Sequence, residues 1–146
     1  MRKINYIVVH CSATREGCTL TSEALEAEHR HRGFRTTGYH DYIRRDGTVR
    51  GTRSLELPGA HCRGHNKYSI GICYEGGLDA RGNPKDTRTP EQRSALHLLV
   101  YQLLQQFRNA RVCGHRDLSP DLDGDGKVEP REWVKQCPCF EVSKEF

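Results

Sequence analysis

No stretch of this chain approaches the roughly 18 apolar residues a membrane-spanning helix requires. The opening MRKINYIVVHCSAT offers only a short apolar run, Ile7 to Val9, where a secretory signal needs a longer core and a small-residue cleavage site. The chain is therefore expected to be cytoplasmic when made, a processed fragment, or exported by another route. Internal repeats and low-complexity segments are missing, which excludes solenoids and tails. There is no HExxH helix and no CxxC pair, so any zinc ligands must come from distant parts of the chain. No basic stripe interleaved with stacking aromatics is present, so nucleic acid is not an expected partner, nor is a membrane.

What is present suits one soluble domain. The chain has 146 residues, 29% of them charged and 35% hydrophobic, with a formal charge of +4. A domain of this length buries about 68–70% of the surface its unfolded chain exposes and needs no staple to fold. Seven cysteines is a high, odd count, and their spacing shows no disulfide framework. They read as buried or free thiols of a reducing compartment.

Apolar periodicity sets the fold. INYIVV at 4–9 reads as a buried strand. SEALEAEHRHRG, from Thr21, reads as a helix stopped at Gly33. YHDYIRRDGTVRG reads as a hairpin turning at Asp46-Gly47. YSIGICYEGG at 68–77 reads as a central strand, and 78–88 as a loop. Thr89, Pro90 and Gln92 form a capping box before a helix whose buried face carries Leu96, Leu99, Val100, Leu103, Leu104 and Phe107. RVCGH is a short strand ending on His115. The expected class is α/β: a single domain, 1–146, with a central mixed β-sheet flanked by helices.

His10 and His115 both stand where apolar strands run out, at the rim of the expected sheet. The stretch GHRDLSPDLDGDGKVEPREWVKQCPC, 114–139, then raises a choice of metal. A soft-ligand reading selects zinc on His115 and a cysteine. A hard-ligand reading selects calcium: Asp121, Asp123 and Asp125 at loop positions one, three and five, Gly126 at six and Glu132 at twelve match the EF-hand pattern. DLSP supplies no entering helix, but a following helix from Pro130 to Gln136 is expected. The two readings are compatible, and a calcium ion there would be structural.

Five blocks carry a family resemblance: IVVHCSAT at 7–14, GYHDYIRRDGTV at 38–49, GAHCRGHNKYSIGICYEGG at 59–77, GHRDLSP at 114–120 and KQCP at 135–138. With all five in order, the chain resembles the zinc-dependent N-acetylmuramoyl-L-alanine amidases of the type 2 family, which includes phage lysozyme-type amidases and peptidoglycan recognition proteins. The resemblance implies a zinc site at the sheet rim, with His10, His115 and Cys137 as ligands and Cys137 favoured over Cys139 by its Lys-x-Cys-Pro setting. It implies catalytic roles for Tyr39, facing the water and the scissile carbonyl, and for Lys135, stabilising the oxyanion. It makes His61, His65 and Asn66 a substrate-binding cleft wall. The implied activity is cleavage of the amide between N-acetylmuramic acid and the L-alanine of the stem peptide. The implied partner is peptidoglycan or a muropeptide, met by a monomer after release or export from the cell. The alternative is a peptidoglycan-binding module of the same fold that has lost catalysis. Cys11, next to a ligand on a strand, should point to the opposite face.

Overall fold

The computed structural model describes residues 2–146. The chain folds in the order β1 (Tyr6–Cys11), β2 (Thr14–Arg15), α1 (Ser22–His31), β3 (Asp41–Ile43), β4 (Val49–Gly51), β5 (Ser69–Tyr74), β6 (Gly77–Leu78), α2 (Pro90–Gln106) and β7 (Arg111–Gly114). The main sheet has the order β4-β3-β5-β1-β7, and β2 pairs with β6 apart from it. β3, β5, β1 and β7 run parallel, while β4 returns antiparallel to β3, so the sheet is mixed. β1 starts two residues later than the apolar run suggests, and β6 occupies the start of the stretch read as a loop.

The two most apolar runs become the two central strands because helices cover both faces. Ile7, Val9, Ile70 and Ile72 pack with Leu96, Val100 and Leu103 of α2, and the chain's end adds Phe140 and Val142 to this cluster. On the other face, Leu25 of α1 packs with Tyr42 and Cys73. Each such aliphatic side chain contributes about 1.5–3 kcal/mol when fully buried.

Local signals place the helices. Thr89 Oγ1 accepts from Gln92 N at 3.1 Å, and Thr89 N donates to Gln92 Oε1 at 3.0 Å, completing the capping box. Gln92 Nε2 also donates to the carbonyls of Ile43 and Glu75, tying α2 to the ends of β3 and β5. Thr21 caps α1 by accepting from Ala24 N.

After β7 the chain forms only single 3₁₀ turns. The helix expected over Pro130 to Gln136 does not form: a 3₁₀ turn over Pro130–Glu132 ends at Trp133, whose backbone is extended. Tertiary contacts override the local propensity. Trp133 stacks under the Arg116 guanidinium at 3.9 Å, and Val134 N donates to Ser119 Oγ at 3.0 Å. The segment then crosses the carboxyl ends of the parallel strands, where open α/β sheets gather their functional groups.

Candidate metal centre

β1 alternates about its axis, so neighbouring residues face opposite ways. Cys11 joins the α2-side core, whereas His10 pairs with Cys73 and lies on the α1 side of the sheet. His115 follows the last residue of β7, and its ring lies 4.7 Å from that of His10. Cys137 arrives from the C-terminal segment. Ligand atoms of His10, His115 and Cys137 all lie within 4.8 Å of one another.

Backbone contacts hold the cysteine. Arg116 N donates to Cys137 O at 2.9 Å, and Cys11 N donates to Cys137 Sγ at 3.2 Å. That N–H fixes the sulfur at the carboxyl end of β1. Gly114 lets this arm approach: an added Cβ there would lie 2.7 Å from Pro138 Cδ. Burial, reinforced by His61, His115 and Lys135, keeps the His10 imidazole neutral. The hydrogen bond with Cys137 and burial push the Cys11 thiol up to about 12. Cys139 Sγ lies 4.0 Å from Cys11 Sγ and outside the converging trio.

Two cavities meet at this group. One of about 520 Å³ is bounded by His10, Tyr39, His61, His115, Lys135 and Cys137. The other, of about 590 Å³, runs past Arg63, His65, Asp117 and Ser119 and shares His115 and Lys135 with the first. The trio therefore lies along a groove with an arm on each side. The Tyr39 ring lies 5.0 Å from that of His10, tilted by 53°; burial and the neighbouring thiols, including the Cys73 thiol that it meets, raise its hydroxyl well above the usual tyrosine range.

The model of the N-acetylmuramoyl-L-alanine amidase family matches residues 1–138. This chain belongs to that family. It is 35% identical to an endolysin of Klebsiella phage KP32 over 143 residues, 98% of this chain and 85% of that protein. An uncharacterized protein of Haemophilus influenzae is 47% identical over 97 residues, 66% of this chain and 84% of its own. Among solved structures, the N-acetylmuramoyl-L-alanine amidase LysC from Clostridium intestinale URNW superposes with a TM-score of 0.75 at 26% identity, covering 99% of this chain and 82% of that one.

In this amidase the three residues expected on the cleft wall separate. His65 lines the second cavity. Asn66 turns inward, its Oδ1 accepting from His61 N and Cys62 N, both at 2.9 Å. His61 borders the first cavity while largely buried, and its Nδ1 lies 2.8 Å from His10 Nε2. Two histidines that the motifs did not single out also shape the site. His29 of α1 lines the first cavity, and its Nδ1 accepts from Gly38 N at 2.7 Å, fixing the approach to Tyr39. His40 Nδ1 accepts from Gly71 N at 3.0 Å. GYH at 38–40 and EHRHRG at the end of α1 are their signals in the sequence, but neither histidine follows an apolar strand as His10 and His115 do.

The acidic loop brings Asp121, Asp123, Asp125 and Glu132 together, with ligand oxygens within 4.8 Å of one another. Its own groups already engage them. Asp121 accepts from Gly124 N and Gly126 N, Asp123 pairs with Arg131, and buried Glu132 accepts from Leu122 N, Asp123 N and Glu129 N. Among the described residues no helix is long and apolar enough to cross a membrane.

Proposed function

We propose that this amidase hydrolyses peptidoglycan, cutting the amide between the lactyl group of N-acetylmuramic acid and the first L-alanine of the stem peptide, with zinc at His10, His115 and Cys137. The carrying observation is the convergence of two imidazoles and a thiol on one point of a groove that Lys135 also lines. Two imidazoles and a cysteine sulfur are a donor set suited to zinc, and three protein ligands would leave a fourth position for the reaction. Zinc in such a setting supplies Lewis acidity, acidifying water to a pKa of about 7 and polarising an amide carbonyl.

The chain's own groups do the rest. The two arms of the groove suit a substrate that extends on both sides of the scissile bond, with glycan to one side and peptide to the other. The Lys135 ammonium lies where it can hold the negative charge that develops on the carbonyl oxygen, a contact worth most in the transition state. Tyr39 stays protonated and can donate a hydrogen bond to that oxygen or to the attacking water. Retention of Cys137 with both histidines, Tyr39 and Lys135 favours catalysis over a binding-only module. The protein would act as a monomer on the wall after release or export.

Calcium in the acidic loop is the second part of this reading. It is supported by the full D-x-D-x-D-G-x5-E spacing and the converging carboxylates. An ion there would compete with Arg131 for Asp123 and brace the segment that delivers Lys135 and Cys137.

The test is metal content by mass spectrometry, with muropeptide release, on untagged protein purified without chelators. The expected result is about one zinc per chain in the wild type, lost in Cys137→Ala together with release. Zinc that is absent and cannot be restored would leave the binding-module reading. The same measurement reports calcium.

A further inference from the structure

His61 is packed like a structural part of the centre. Its backbone N–H is pinned by Asn66 Oδ1. Its ring fills a slot opened by two glycines: an added Cβ on Gly59 would lie 2.4 Å from His61 Cδ2, and one on Gly71 would lie 2.6 Å from the same ring. Those are overlaps that no side chain tolerates, so the sheet and the loop before it are cut to this imidazole. Inside the slot both ring nitrogens are engaged. Nδ1 meets His10 Nε2 at 2.8 Å, and Nε2 meets Ser69 Oγ at 3.1 Å.

We infer that His61 is a positioning residue for the metal, fixing the tautomer and the angle of His10 through a relay His10–His61–Ser69. The inference rests on the metal reading of His10, His115 and Cys137 above. With His10 Nε2 taken by His61, Nδ1 is the nitrogen left to a metal. The relay then closes in one way: His10 Nε2–H donates to His61 Nδ1, and His61 Nε2–H donates to Ser69 Oγ. Metal-bound histidines commonly donate their other N–H to a fixed acceptor, which sets ring orientation and raises ligand basicity. Here the acceptor is a second imidazole, itself held by a hydroxyl on the neighbouring strand β5. Removing such a partner weakens metal binding by about 10–100-fold.

The test is zinc affinity of the full chain, measured by competition with a chromophoric chelator, together with the visible absorption of the cobalt(II)-substituted protein. His61→Ala should raise the zinc dissociation constant about 10–100-fold and alter the cobalt bands. His61→Asn carries an amide oxygen near the position of Nδ1 and should restore most of the affinity. His61→Gln, whose amide lies near the position of Nε2, should not. Ser69→Ala should weaken zinc in the same direction by a smaller factor. The inference is overturned if His61→Ala keeps wild-type affinity and cobalt bands, or if His61→Asn is as weak as His61→Ala. Where the alanine variant does not fold, His61→Gln takes its place, and a Gln variant equal to Asn overturns the relay. A wild type that binds no zinc overturns the metal reading itself, a separate and recognisable failure.

Discussion

His10 and Cys137 meet at one point but reach it by opposite means. His10 stands on β1, a strand paired on both sides, with an imidazole packed behind its ring in a slot between two glycines. Cys137 comes at the end of a segment, 119–136, whose only regular structure is one 3₁₀ turn and whose hydrogen bonds run largely within its own acidic loop. The strand side is rigid by construction. The arm depends on clamps at its ends: Val134 N to Ser119 Oγ, Arg116 N to Cys137 O, and the Tyr74 hydroxyl to Pro138 O at 2.6 Å. A centre built this way gains precision from the sheet and adaptability from the arm.

The largest effects should come from the arm's two delivered groups. On the proposed zinc reading, Cys137→Ala should lower muropeptide release by at least about 10³-fold, since a bound metal would supply several kcal/mol of transition-state stabilisation. Cys139→Ala, outside the trio, should retain most of the activity. Comparable losses in both variants would break the assignment of the third ligand. Lys135→Ala should lower kcat by about 10²–10³-fold with zinc content unchanged, the scale of losing one oxyanion donor. Should its zinc content fall in step with its rate, Lys135 acts on the centre's assembly instead.

The same contrast explains what the sequence made legible. β1, β5, the Asp46-Gly47 hairpin and the capped α2 announce themselves through local signals: apolar runs, a turn dipeptide, Thr89-Pro90 with Gln92. His10 and His115 stand out because strands end at them. The arm is harder to read. Pro130 to Gln136 has helix-forming residues, yet Arg116 takes Trp133 and Ser119 takes the Val134 N–H, contacts spanning more than a dozen residues. The slot for His61 is illegible for a related reason. Gly71 lies in a run that reads only as a strand, and nothing in the sequence ties it or Gly59 to the ring that they admit.

Acid should injure the sheet side first. Burial holds the His40 imidazole down to about 4, and its Nδ1 already accepts from Gly71 N. An unfolded histidine titrates near 6.5. Between those values the unfolded chain binds more protons than the folded one, so stability is complete above about 6.5 and falls as pH drops towards 4. For His40 alone the loss is roughly 3 kcal/mol across that window. Urea midpoints of the metal-free protein at a series of pH values measure it, and His40→Asn should flatten the slope. An unchanged slope in that variant would move the acid sensitivity to other buried groups.

The smallest global effect belongs to the arm, and it separates the two regions most sharply. Glu132→Ala removes the carboxylate that gathers Leu122 N, Asp123 N and Glu129 N. Hydrogen bonds to a charged group contribute about 1.5–3 kcal/mol each, but exposed loop amides recover part of that from water. A net local loss of about 1–2 kcal/mol should speed tryptic cutting after Lys127 and Arg131 by roughly 10-fold, because cleavage follows the population of the opened loop. The thermal midpoint should stay within about 2 °C, since the sheet and its two cores bury none of this loop. Millimolar calcium should slow the cutting in the wild type and leave the variant unchanged if the loop holds the ion. A fall of the midpoint as large as the local loss would mean that arm and sheet unfold as one unit, and the division between a rigid strand side and a clamped arm would not stand.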